Sequence, residues 1–261
     1  MVYLYLLLIG LVVGSFVNVV IYRVPIGRQI VTGRSSCTRC RQILAWYDLI
    51  PIFSYLILHG RCRYCGQTIN WWYLVGELFI SLAFVFSYYW FGDYPISHRF
   101  FVIFLLIILF TLLMTDLKYL ILPDGVILAG FIGAMGFGLA EKYGIVANSW
   151  SLVTAFNFLS ALSLFLILYL VWFFSKGKWL GFGDVKFAAL VGLIFGFNGG
   201  IFIIYLAVVM GGILGVSLLL LRQANLSTKL PFGSFISLAG MIYIFTGTTL
   251  AQWINLNLIF R

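Results

Sequence analysis

The sequence predicts an all-α fold: a polytopic membrane protein of about eight transmembrane helices, with one cytoplasmic Cys-rich loop. Three observations carry this. The chain is 63% hydrophobic with a mean hydropathy of +1.11, whereas a soluble domain is roughly 45–50% apolar. Apolar runs of the length needed to cross a bilayer, about 20 residues, recur from end to end. Charged residues make up only 9% of the chain, and most of the basic ones fall between the runs.

Taken in order, the first run covers 2–22. It is longer than a signal-peptide core and has no basic segment ahead of it, so it reads as a retained helix. A polar loop follows over 23–70. Seven further runs fill the rest, at 71–91, 99–117, 122–140, 152–174, 186–197, 200–221 and 234–258, the sixth span being short. Small residues four apart occur at Ala129/Gly133, Gly192/Gly196 and Gly211/Gly215. Such spacing lets helices approach closely in lipid, although 27 glycines among apolar residues also produce such pairs by chance.

The net charge of +9 raises the question of a nucleic-acid partner, and the positions of the charges argue against one. Arg23, Arg28, Arg34, Arg39, Arg41, Arg61 and Arg63 lie in the 23–70 loop. Alternation of eight spans puts Lys118, Lys176, Lys178, Lys186, Arg222 and Lys229 on the same side, with only Arg99, Lys142 and Arg261 opposite. This is the positive-inside pattern: the basic surplus sets topology in the lipid bilayer and suits anionic headgroups. An even number of spans leaves both termini outside.

All four cysteines lie in that loop, as Cys37-Thr-Arg-Cys40 and Cys62-Arg-Tyr-Cys65. Two C-x-x-C knuckles at this separation can direct four thiolates at one tetrahedral ion, and zinc is the expected metal. Arg39, Arg41, Arg61 and Arg63 favour the thiolate form. Two disulfides or free thiols are the alternatives, and a reducing compartment disfavours the disulfides. A tetrathiolate site has no open position, so its expected role is structural. His59 lies nearby but reads as a surface or lipid-edge residue.

The chain holds only seven acidic residues, and two sit at membrane edges. A carboxylate there is expensive and suggests function. Asp116 ends the run Phe100–Thr115, where the dipole of its own helix disfavours negative charge. Asp184 sits in Gly181-Phe182-Gly183-Asp184, ahead of a helical stretch that includes Lys186; an N-cap role explains it as well as a catalytic one does. Asp124 follows Pro123 in a first helical turn, a structural setting. Both Asp116 and Asp184 fall on the cytoplasmic side, and two carboxylates sharing one proton are the equipment of an aspartic protease. The helix ends suggest Asp184 as the ionised base and Asp116 as the proton donor.

Gly14-Ser15-Phe16-Val17-Asn18-Val19-Val20-Ile21-Tyr22-Arg23-Val24-Pro25, the two knuckles with Tyr47-Asp48-Leu49-Ile50-Pro51 between them, Thr115-Asp116-Leu117 through Leu122-Pro123-Asp124, and Gly181-Phe182-Gly183-Asp184-Val185-Lys186 occur in this order. Together they resemble the type IV prepilin peptidase family, bifunctional leader peptidase/N-methyltransferases of the bacterial inner membrane. The resemblance implies an aspartic endopeptidase at the cytoplasmic face, with Asp116 and Asp184 as the catalytic pair. Gly181, Gly183, Lys186 and Asp124 would support that pair. The implied substrates are type IV prepilins or pseudopilins of pilus, competence or type II secretion systems, cut after a glycine. Methylation of the new N-terminus by S-adenosylmethionine is implied as well.

The chain then divides into a first helix (1–22), a zinc-knuckle loop with a possible methyltransferase part (23–70) and a peptidase domain (71–261). One departure stands out. In Trp71-Trp72-Tyr73-Leu74-Val75-Gly76-Glu77, Trp72 and Leu74 replace the family's usual Arg and Pro, while Glu77, a candidate for the methylation part, remains. The aromatics otherwise read as an interfacial belt. A proton-coupled transporter using the Asp pair is the alternative from another class; the absence of a convincing internal repeat weighs against it.

Overall fold

The structure is a computed structural model that describes residues 1–30, 33–146, 155–223, 225 and 228–259, without the side chains of 155 and 248–259. The start of the span expected over 152–174 and Arg261, expected on the far side, lie outside the described residues. Among the described residues the regular structure is helical, apart from two isolated β-bridges. Six helices are long and apolar enough to cross a membrane, and Phe232–Gly247 adds a shorter apolar stretch.

The chain falls into two compact units, Met1–Tyr94 and Pro95–Arg261. The first holds α1 (Val2–Arg23), a short α2 (Phe53–Ile57) and α3 (Trp72–Trp90). α1 and α3 run antiparallel: Tyr3 meets Tyr88, the Ser81 hydroxyl donates to Leu7 O at 3.0 Å, and Tyr22 stacks on Tyr73 at 4.2 Å. Glycine permits this approach. A Cβ at Gly10 would lie 2.5 Å from Ser81 Cα, and one at Gly14 2.8 Å from Glu77 Cα. Lipid tails supply no hydrophobic drive between helices, so such close packing and buried hydrogen bonds hold the pair together. Asn18 adds one, from Nδ2 to Tyr73 O at 2.7 Å. The small-residue face of α3 pairs with α1, and the first compact unit runs through Tyr94.

The second unit holds α4 (Ile96–Tyr119), α5 (Asp124–Lys142), α6 (Ala155–Ser175), α7 (Phe182–Leu220) and α8 (Phe232–Ile259). α4 is its centre: 72% of its most apolar stretch is buried, against 22% for α6. A helix that is apolar all round belongs inside. It stops at Leu120, which takes the left-handed conformation (φ 53°), and Pro123 then opens α5.

α7 is interrupted at Gly196 (φ 70°, ψ −176°). A Cβ on Gly200 would lie 3.6 Å from Gly192 Cα, yet eight residues of continuous helix rise about 12 Å. The chain therefore reverses at Gly196, and α7 is a hairpin of two arms. These are the sixth and seventh spans of the sequence reading; with α8 the expected total of about eight is reached. One member of each small-residue pair packs on a neighbouring helix, whereas Ala129 is exposed and Gly196 has no neighbour within 4 Å of a Cβ. Gly192 abuts Ser160 O and Ala161 of α6, Gly133 faces Phe104 of α4, and Gly211 faces Phe235 of α8.

Candidate active site and metal centre

In the second unit, four helix ends meet. The last turn of α4 carries Asp116, and the first turns of α5, α7 and α8 carry Asp124, Asp184 and Ser234. Asp116 and Asp184 are both buried, at 5% and 8% exposure, and each lies within electrostatic reach of the other. Leu122 packs beside the pair, against Gly183 and Gly233. A Cβ at Gly183, beside Asp184, would lie 3.1 Å from Leu122 Cβ; one at Gly233 would lie 2.8 Å from Leu122 Cδ1 and 3.1 Å from Asp116 Oδ2. The absence of a side chain at Gly183 and Gly233 is what lets Leu122 and the carboxylate fit.

Asp184 is not the N-cap of its helix. Gly181 holds that position, and Asp184 is the third residue in, with its Oδ2 accepting the Gly181 N–H at 3.1 Å. This is the returning half of a capping box. The structural role expected for an N-capping Asp is thus carried out from inside the helix, by one oxygen only.

Asp116 departs further from expectation. Its own helix end disfavours charge, but its carboxylate meets the opposite end of another helix. Oδ2 accepts the Ser234 backbone N–H at 2.7 Å and the Ser234 hydroxyl at 3.0 Å. Ser234 is 2% exposed and sits in the first turn of α8; its amide also reaches Pro231 O at 3.2 Å, a longer contact than the one to Asp116. The sequence reading did not single out Ser234. Pro231-Phe232-Gly233-Ser234 is a helix-start signal, and that signal alone marks it.

Asp124 and Lys186 pair across α5 and α7, Nζ to Oδ1 at 2.7 Å. Asp124 points outward, its side chain 72% exposed, and the pair staples two of the converging ends.

In the first unit, the sulfurs of Cys37, Cys40, Cys62 and Cys65 lie within 4.8 Å of one another, and all four are free thiols. His59 is exposed and outside the cluster. Tetrahedral Zn–S bonds of about 2.3 Å imply S···S edges near 3.8 Å; Cys37 and Cys65 are 3.8 Å apart. The quartet could therefore hold a metal ion.

Each knuckle is a tight hairpin built the same way. Cys37 N–H donates to Gln42 O and Arg41 N–H to Cys37 O, while Cys62 N–H donates to Gln67 O and Gly66 N–H to Cys62 O. Arg41 and Gly66 take φ 58° and 67° at the equivalent place. Backbone N–H groups of Cys40 and Arg39 aim at the Cys37 sulfur and push its thiol down to about 6. Arg63, inside the second knuckle, bonds Asp48 Oδ1 at 2.7 Å and lies over the Tyr47 ring. The hydrogen bond from its guanidinium to Asp48 raises its pKa further.

Glu77 lies on α3. Its Oε2 accepts the Ile52 N–H at 2.8 Å, and Ile52 holds φ 60°, ψ −52°. A β-branched residue is strained there, and Glu77 is one of the contacts that keep it so. Beside the second knuckle, Tyr55, Thr68, Ile69, Asn70, Trp71 and Trp72 line an open groove of about 510 Å³, in which Trp71 and Trp72 stack at 4.3 Å.

Fold and site define a multi-pass helical membrane protein with a buried carboxylate pair at converging helix ends and a four-thiol cluster in a separate unit. The two units match two family profiles: "Bacterial Peptidase A24 N-terminal domain" over residues 8–91 and "Type IV leader peptidase family" over 103–216. The chain is 35% identical over 217 residues to a prepilin leader peptidase/N-methyltransferase of Myxococcus xanthus, covering 83% of this chain and 63% of that protein. It is 33% identical to one from Vibrio cholerae (74% and 79% covered) and 27% identical to one from Bacillus subtilis (97% and 98%). No solved structure matches. The chain belongs to the type IV leader peptidase family.

Proposed function

We propose that this chain is a membrane aspartic endopeptidase that removes the basic leader from type IV prepilins or pseudopilins. The observation that carries the reading is the burial of Asp116 and Asp184 together at converging helix ends, in a relative of prepilin leader peptidases. Two buried carboxylates within electrostatic reach of one another share one proton. The ionised one takes a proton from water as its oxygen attacks the scissile carbonyl. The protonated one gives its proton to the carbonyl oxygen. When the C–N bond breaks, the leaving amine takes the proton first drawn from water, a hydroxyl of the tetrahedral intermediate returns its proton to the other carboxylate as the C=O re-forms, and the pair is back in its starting state. The concentration of basic residues in the intervals assigned to one side supports a cytoplasmic placement, and such a substrate keeps its leader in the cytoplasm and its apolar helix in the bilayer.

The first unit is the proposed place of N-methylation. Zinc in the Cys37/Cys40/Cys62/Cys65 cluster would be structural, fixing the loop that Arg63 ties to Asp48. S-adenosylmethionine, when bound, supplies the methyl group; the stacked Trp71 and Trp72 of the neighbouring groove suit its adenine, and Glu77 holds the loop at Ile52.

The test is cleavage of a co-expressed prepilin, and of purified substrate in detergent without any ion gradient. Asp116→Asn and Asp184→Asn are each expected to lower cleavage by more than about a thousandfold, and Asp124→Asn to lower it less than about fivefold. Normal cleavage by Asp116→Asn, or a strict need for a gradient, would refute the reading; the second result would favour a transporter.

A further inference from the structure

We infer that Ser234 is a positioning residue for the carboxylate pair: with the first turn of α8, it holds Asp116 as the ionised member and leaves the shared proton on Asp184. The inference rests on the dyad reading above and deepens it.

The two carboxylates are held unequally. Asp116 Oδ2 receives two hydrogen bonds from one residue, at 2.7 and 3.0 Å, and Asp184 Oδ2 receives one, at 3.1 Å. Donors aimed at a carboxylate favour its charged form, and charge-assisted bonds are the stronger kind. The Ser234 amide belongs to the N-terminus of α8 and Asp184 to that of α7, so both carboxylates meet a favourable helix dipole and the number and length of the donors distinguishes them. With Ser234 buried, water does not compete for either donor. This reverses the assignment drawn from each carboxylate's own helix, because α8 supplies two short donors to Asp116 where Asp184 has one longer one.

Ser234 has a second acceptor within reach. Its Oγ lies 3.3 Å from Leu113 O. One hydroxyl proton serves one acceptor well, so it bonds Asp116 while that group is ionised and can turn to Leu113 O when Asp116 receives the proton of water. The hydroxyl then releases Asp116 when its charge is lost and returns when the charge is restored, without moving the backbone.

The remaining charged groups do not override this. From α8, no charged side chain lies between Phe232 and Gly247. α5 brings Asp124, already paired with Lys186 of α7. α4 itself carries Lys118, on its last turn. α7 also brings Asp184, the partner.

The measurement is kcat/KM for leader cleavage as a function of pH, on the full-length protein in detergent with a substrate bearing a basic leader, a glycine and an apolar helix. Without the hydroxyl, Asp116 protonates more readily, so the active form is lost at higher pH. Ser234→Ala should move the acid limb up by about one pH unit and lower kcat below that limb about tenfold, with KM within about twofold. Ser234→Thr should restore the limb. An Ala profile parallel to wild type, or no rescue by Thr, would overturn the inference. Asp116→Asn separates the two claims: if it is inactive while the Ser234→Ala limb stays put, only the role of Ser234 falls; if it cleaves normally, both fall.

Discussion

The four thiols and the two carboxylates are built by opposite means. Each thiol pair sits in one hairpin and is held by backbone hydrogen bonds within a few residues, such as Cys37 N–H to Gln42 O and Cys62 N–H to Gln67 O. Only the joining of the two hairpins is longer in range, and Arg39 to Gln67 Oε1 is one such link. The carboxylates are brought together only by packing between helices, although Asp184 has one local bond, from Gly181 N–H. Asp116 is held by a residue 118 positions away, and the contact exists only if α4 and α8 pack in register. A locally built site survives damage elsewhere in the fold. A site made of helix ends fails with any one of its helices.

Several measurements would break or sharpen this contrast. Asp184→Asn, expected to abolish cleavage, should leave metal content at about one ion per chain. The converse has the next largest effect: replacing Cys37 and Cys62 by Ser should drop bound metal below about a tenth of an ion per chain and remove methylation, while leader cleavage falls less than about threefold. Metal analysis beside both activities reads it out, and equal losses of both activities would show that the two sites are not independent.

A smaller effect concerns the thiols themselves. In chelator-treated protein Cys37 should alkylate fastest of the four, with its rate half-maximal near pH 6. The thiolate is the reactive form, and its folded pKa is depressed, so reactivity persists above that pH and is lost as pH falls through it. A midpoint near the ordinary thiol value, about 8.5, would contradict the hairpin geometry. The smallest effect is at the rim. Asp124 and Lys186 form an exposed ion pair, and such pairs contribute under about 1 kcal/mol. Lys186→Met and Asp124→Asn should each reduce cleavage less than about fivefold, with coupling under about 1 kcal/mol in a double-mutant cycle.

What could be read from sequence follows the same line. The knuckles were visible because their ligands are close in the chain and their chemistry is specific. The spans were visible because apolar length is a one-dimensional property, and even the reversal at Gly196 was marked by the short run before it. The carboxylates were noticed for the expense of charge at a membrane edge. The field acting on Asp116 was hidden, because a dipole read from α4 alone has the wrong sign once α8 arrives. The pairing of α3 with α1 was equally hidden: Gly10, Gly14 and Gly76 are as ordinary in sequence as the glycines that touch nothing.

The reversal at Gly196 also bears on where water comes from. The arm 182–195 is helical for about 21 Å at ~1.5 Å per residue, against a hydrocarbon core of about 30 Å. A bilayer meeting so short an arm must pinch inward or draw its polar headgroups down around the helix ends. Asp184 stands on that arm's first turn. On the proposed reading, thinning of the bilayer there would bring the aqueous phase toward the carboxylate pair, and the thickness of the surrounding lipid would become a variable of the reaction.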